Sequence, residues 1–169
     1  MICNSGSNNL NINHKVNQGI GAISQIISML NQVSLGHYYF EIAIIMRDSM
    51  LISKLLSNSE IWYNITKNQY KKLERIDESF LRKIFNVAIS VPKESLFIES
   101  ACLPLKFLIK IRRMKFLWHI LHLDKKELLF KFYRAQSMVC HKDDWVEQVI
   151  KDKVDIDLQL VIMKLHQCL

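Results

Sequence analysis

The chain has 169 residues, half of them hydrophobic, with only four glycines and two prolines, so it is long enough for one domain with a buried core and has few breakers. Its formal net charge is +7, from 23 Lys and Arg against 16 Asp and Glu. This composition excludes a wholly disordered chain, and the longest apolar run, Tyr38 to Met46, is interrupted by Glu41 and falls far short of the roughly 20 residues a bilayer span needs.

The first ten residues show neither a basic segment nor an apolar one, so no secretory signal is expected and the protein is read as soluble and intracellular, in nucleus or cytoplasm. Cys3, Cys102, Cys140 and Cys168 stand far apart with no Cys-x-x-Cys among them, which predicts free thiols. Cys140 and His141 form a single adjacent pair without a second pair at zinc-finger spacing, so no metal and no cofactor is expected.

In chain order, residues 1–13 are rich in Asn, Ser and Gly and lack apolar periodicity, the composition of a disordered segment. From His14 to Val33, Val16, Ile20, Ile23, Ile26, Ile27, Leu30 and Val33 step by three and four, predicting an amphipathic helix whose first turns Gly19 and Gly21 weaken. Gly36 is its expected stop. Tyr38 to Ile61 is apolar around more than half its circumference, a central helix in which Arg47 and Asp48 face solvent or pair with neighbours.

Thr66 and Gln69 form a capping box ahead of the stripe Leu73, Ile76, Phe80, Leu81, Ile84 and Phe85. Charges of both signs, Glu74 and Glu78 among Lys71, Lys72, Arg75, Arg82 and Lys83, occupy the outer face. Val87 to Val91 reads either as connection or as an isolated extended piece. Pro92 and Pro104 suit the first turns of a short helix to Glu99 and of a basic helix through His122. Asp124 with Glu127 starts another helix to about Met138, Trp145 to Ile150 marks a further one, and Ile156 to Leu169 is periodic but weakly capped. The predicted fold is all-α, an irregular bundle of about seven or eight helices with a disordered N-terminal stretch.

The charge excess is confined to one segment. Between Pro104 and Arg134 lie nine basic residues, Lys106, Lys110, Arg112, Arg113, Lys115, Lys125, Lys126, Lys131 and Arg134, against Asp124 and Glu127 alone. That segment accounts for the whole +7, and the remainder of the chain is neutral. Lys106, Lys110 and Arg113 share a helix face by their spacing, while Leu105, Leu108, Ile109, Ile111, Phe116 and Leu117 occupy the other side. A row of this kind neutralises phosphates and gives salt-dependent affinity without base specificity, so Lys106, Lys110, Arg112, Arg113 and Lys115 are the expected nucleic-acid contacts. The competing reading is a solvated basic face with no ligand.

Other constellations are read structurally. Asp143 and Asp144 precede a helical segment and are assigned to its cap and first turn. His119 and His122 share a face but have no third ligand near in sequence, and Trp62, Tyr63 and Tyr70 are expected to pack at a helix junction. No Ser-His-Asp or Cys-His set and no Gly-rich phosphate loop is present in the sequence.

From Asn58 to Leu121 the chain runs NSEIWYNITKNQYKKLERIDESFLRKIFNVAISVPKESLFIESACLPLKFLIKIRRMKFLWHIL. A Trp-Tyr pair closes one helix, a Thr-capped amphipathic helix follows, and a Pro-punctuated connection leads to a Leu-Pro start and a basic helix. In that order it resembles the region just after the polymerase palm in non-LTR (LINE-type) retrotransposon reverse transcriptases, the RNA-directed DNA polymerases of mobile elements. The likeness runs with decreasing strength from Gln18 to Asp157. QGIGAISQ resembles the start of the segment after the palm, and LPLKFLIKIRR the family's Leu-Pro-Leu plus Arg-Arg signature.

The resemblance implies a thumb-like bundle over 14–86, a connection carrying the basic helix over 87–138, and a helical tail over 139–169. It implies a role in clamping the RNA template and the RNA–DNA hybrid. The palm, with its aromatic-x-Asp-Asp hairpin for two metals, is absent from the sequence, so the chain is expected not to be an enzyme on its own. It then stands as a truncated or decayed copy or a partial gene product. The implied partners are RNA, an RNA–DNA hybrid or a polymerase palm domain. The alternatives are a helical protein-interaction module and a relic without function.

Overall fold

The computed structural model describes residues 5–139 and 144–155, with side chains from residue 11 onward. Among these residues there are helices and turns and no strand, an all-α, irregular bundle. No described helix is long and apolar enough to cross a membrane. The chain divides into two compact units, Met1–Ser57 with Ile65–Phe107, and Asn58–Asn64 with Leu108–Leu169.

The first unit is built on α1 (Ser5–Gln32). The helix is longer than the apolar periodicity indicates. It takes in residues 5–13, where Ile12 is buried four residues before Val16 and Asn13 accepts a hydrogen bond from Lys72 at 3.2 Å. Its buried face is also rotated: Gly19, Ala22, Ile23, Ile26 and Leu30 are inside, whereas Ile20 and Val33 are 51% and 57% exposed. Gly19 explains the rotation. A Cβ on it would lie 2.7 Å from Leu55 and 2.8 Å from Ile76, so the missing side chain is what lets these neighbours close on the helix. Gly21, by contrast, has open space around its Cβ position.

Next, α2 (Tyr39–Met46), a π turn (Arg47–Ile52) and α3 (Ser53–Leu55) run on as one helix. It stops short of the predicted end near Ile61, because Asn58 takes a left-handed conformation with φ 61° before a 3-10 turn at Ser59–Ile61. The wider π turn brings Arg47, Leu51 and Ile52 inward together. Leu51, Leu55 and Leu56 lose all exposure, each contributing about 1.5–3 kcal/mol. Phe40 stacks on Phe85 at 5.4 Å.

Then α4 (Lys67–Phe85) opens with the expected capping box: Gln69 N donates to Thr66 Oγ1 at 3.3 Å and Thr66 N to Gln69 Oε1 at 2.9 Å. Its buried stripe is Leu73, Phe80, Leu81 and Ile84, and in the middle of it lies Asp77. This carboxylate is held by the buried Arg47, Nε to Oδ1 at 2.7 Å and Nη2 to Oδ2 at 2.6 Å, while Arg47 Nη1 reaches Asp48 at 2.7 Å. Burial favours the neutral form of Arg47, but the hydrogen bond and charge of Asp77 outweigh it and hold the guanidinium's pKa above its usual value.

Asn86, also left-handed at φ 51°, ends α4, and residues 86–91 form a turn rather than an extended piece. Arg82 fixes that turn by donating to the carbonyls of Ala88 at 2.7 Å and Val91 at 2.8 Å. After it, α5 (Lys93–Glu99) buries Leu96 and Phe97, with Pro92 at its cap. Cys102 is buried, and desolvation pushes its thiol pKa up against the opposing pull of a Ser100 hydrogen bond and of Arg47.

Two further helices, α6 (Leu105–Leu121) and α7 (Leu128–Val139), follow the predicted bounds closely. Residues 145–155 form α8, capped by Asp144, whose Oδ1 accepts from Glu147 N at 2.8 Å. Cys140, His141, Asp143 and the periodic stretch from Ile156 to Leu169 lie outside the described residues.

Candidate nucleic-acid interface

In the second unit, residues 58–64 run beside α6 and α8. Trp145 of α8 donates its indole N–H to Glu60 O at 2.7 Å and meets the ring of Phe116 edge-on at 5.7 Å. Trp62 is buried, in keeping with a packing aromatic.

The buried positions of α6 are Leu105, Ile109, Arg113 and Ile120. Three residues past Lys110, Arg113 is predicted by its spacing on the basic face with Lys106 and Lys110. It is also four residues past Ile109, and that register is the one that decides. Its side chain is 1% exposed and is engaged from both sides. Nη1 donates to Trp62 O at 2.7 Å, and Nε stands 2.6 Å from Oδ2 of Asp152, itself 1% exposed. The Nε contact is a close charge pairing without hydrogen-bond alignment, and Nη2 has no partner among the described residues. Arg113 is thus a buried strut and not a phosphate contact. Losing either member of such a pair costs about 3–5 kcal/mol, because the other is left charged and dry.

The remaining nominated residues divide. Lys110 is only 18% exposed and pairs with Asp155 at 2.5 Å. Arg112 is half-buried, and Lys115 is exposed. Lys106, in the first unit, is exposed with its ammonium 4.8 Å from the centre of the Phe107 ring.

Further cations lie beyond α6. Lys125, Lys126, Lys131 and Arg134 are all exposed, and with Lys115 they make no ion pair among the described residues. Their segment also presents aromatic surface: Trp118 is 64% and Phe132 60% exposed. His119 and His122 are exposed as well, His122 with its ring 4.1 Å from that of Trp118. No residue of α7 is buried. These lysines belong to the segment that holds the charge excess but lie beyond the helix face on which Lys106 and Lys110 fall.

Chemically, the segment offers exposed cations and exposed aromatic faces, groups of the kind that meet a phosphate backbone and unstacked bases. Among the described residues no three His, Cys, Asp or Glu side chains cluster as a metal site would require. Comparison of the chain with protein-family models, with curated proteins and with solved structures finds no match in any of the three.

Proposed function

We propose that the chain is a non-catalytic helical module that binds the backbone of an RNA template or RNA–DNA hybrid, as the thumb and connection of a LINE-type reverse transcriptase do by resemblance. The observation that carries this reading is the set of exposed cations without acidic partners among the described residues, Lys115, Lys125, Lys126, Lys131 and Arg134, accompanied by exposed Trp118 and Phe132. Affinity from such contacts is electrostatic and falls steeply with salt. Filter binding of the full chain to an RNA–DNA hybrid at several salt concentrations tests it. Replacing Lys115, Lys125 and Lys131 with Ala weakens binding and flattens the salt dependence by about one unit of slope per lost contact. A chain that does not bind hybrid at low salt, or binds it equally well without these lysines, overturns the reading.

A second reading, a protein-interaction module, draws on α7. Leu128, Phe132 and Val139, at 81%, 60% and 59% exposure, fall at helical spacing on a helix with no buried residue. Sedimentation analysis separates the two readings: concentration-dependent association abolished by Leu128→Ser with Phe132→Ser supports the interaction module.

A further inference from the structure

The outward face of α4 carries a feature that neither reading uses. Opposite the buried stripe, Arg75, Ser79, Arg82 and Lys83 recur at steps of three and four, so they line one side of the helix. The 86–91 turn lies along this side and borders an open groove of about 480 Å³, to whose lining it contributes Val87 and Ile89. That volume lies in the range of about 300–1,000 Å³ typical of small-ligand sites.

Its charges are not equivalent. Arg82 is fully engaged: Nε and Nη2 donate to Glu78 at 2.9 and 2.7 Å, while Nη1 donates to Ala88 O and Nη2 also to Val91 O. This neutralises the one carboxylate lining the groove and keeps its wall in place. Arg75 and Lys83 are exposed and make no ion pair among the described residues. They stand about 12 Å apart along the helix axis, a distance two long side chains close from either end around one anion. The Ser79 hydroxyl lies between them in sequence and supplies a third donor. Ile89, which lines the same groove, is 88% exposed, an apolar surface on a turn that Arg82 anchors.

We propose that this groove is a nucleotide site, with the phosphate held by Arg75, Lys83 and Ser79 and the sugar and base lying against Ile89 and Val87. Three donors from different turns of the helix match the oxygens of a phosphate better than the two of a carboxylate. The fixed apolar wall gives the rest of a nucleotide a surface that a bare anion does not use. All the residues lining the groove belong to the first unit, and none of them is a cation of α6 or α7.

The test is a calorimetric or NMR titration of the full chain at low salt with adenosine monophosphate, inorganic phosphate and a short acidic peptide as separate probes. The mononucleotide is expected to bind saturably, and Arg75→Gln with Lys83→Gln to weaken it about tenfold or more, the loss of a charge-assisted contact. Ile89→Ser weakens the mononucleotide but not inorganic phosphate. Replacing Lys115, Lys125 and Lys131 leaves the mononucleotide unaffected, so failure here is distinct from failure of hybrid binding. No saturable binding of the mononucleotide, binding indifferent to Arg75 and Lys83, or peptide binding as tight as that of the mononucleotide overturns the proposal.

Discussion

Arg47 and Asp77 meet inside the first unit in a two-pronged pair, Nε to Oδ1 at 2.7 Å and Nη2 to Oδ2 at 2.6 Å, with side-chain exposures of 2% and 0%. The pair fixes α4 against the π turn, since each charge satisfies the other's hydrogen-bonding needs where water does not reach. Asp77→Ala is therefore expected to destabilise the fold by about 3 kcal/mol, because the buried guanidinium loses two charge-assisted hydrogen bonds and keeps only the exposed Asp48 as counter-charge. Arg47→Met combined with Asp77→Leu recovers much of the loss. Urea unfolding of the single and double variants measures both effects, and a double variant no more stable than Asp77→Ala contradicts this account.

The two glycines of α1 give opposite signs. Gly19→Ala places a Cβ 2.7 Å from Leu55 and 2.8 Å from Ile76 and is expected to cost about 1–3 kcal/mol, because packed side chains must shift. Gly21→Ala meets nothing within 4 Å and is expected to stabilise by up to about 1 kcal/mol through helix propensity. Thermal melts of the two variants decide the matter by direction alone.

Arg113 separates stability from binding. Arg113→Ala leaves the buried Asp152 without a counter-charge and with only the Gln148 amide as donor, so a loss of about 3–5 kcal/mol is expected in denaturant unfolding. On the proposed function, and under conditions where the variant stays folded, the salt dependence of hybrid binding is expected to match that of the parent, since this guanidinium is 1% exposed. Lys115→Ala does the reverse: its melting temperature holds and its binding weakens.

The buried Cys102 thiol makes an alkaline signature. Desolvation raises its pKa in the fold above the ordinary value of 9.0, so the native state keeps a proton that the unfolded chain gives up. The associated stability is fully present below pH 9.0 and is lost as pH rises through the folded value. Unfolding measured across this range is expected to show stability declining in the parent and a shallower decline in Cys102→Ala. At neutral pH, iodoacetamide modifies Cys102 more slowly in the native than in the urea-unfolded chain.

Local signals in the sequence translated well into structure. The Thr66 and Gln69 box, the stripe from Leu73 to Ile84 and the start of α6 after Pro104 all depend on residues within a turn or two of each other. Asp77 was hidden because the residue that lets a carboxylate sit in an apolar stripe is Arg47, 30 positions earlier. Arg113 was hidden for the same reason, with Asp152 far downstream and two helical registers competing for it. The charge excess located the basic segment, but only its burial shows that Lys115 and the lysines beyond α6 face solvent while Arg113 does not. Gly19 reads in sequence as a weak point of α1, and its use lies in what packs against it.

The second unit joins residues 58–64 to a segment that starts at Leu108, so the order in which its parts are synthesised is not the order in which they are satisfied. The carbonyls of Glu60 and Trp62 leave the ribosome long before Trp145 and Arg113, the donors they receive. Until α8 is complete, Asp152 is missing and Arg113 has no counter-charge. A nascent or prematurely terminated chain ending near Val139 thus carries Arg113 without its counter-charge on an otherwise apolar face, a state in which this half of the molecule cannot complete its packing.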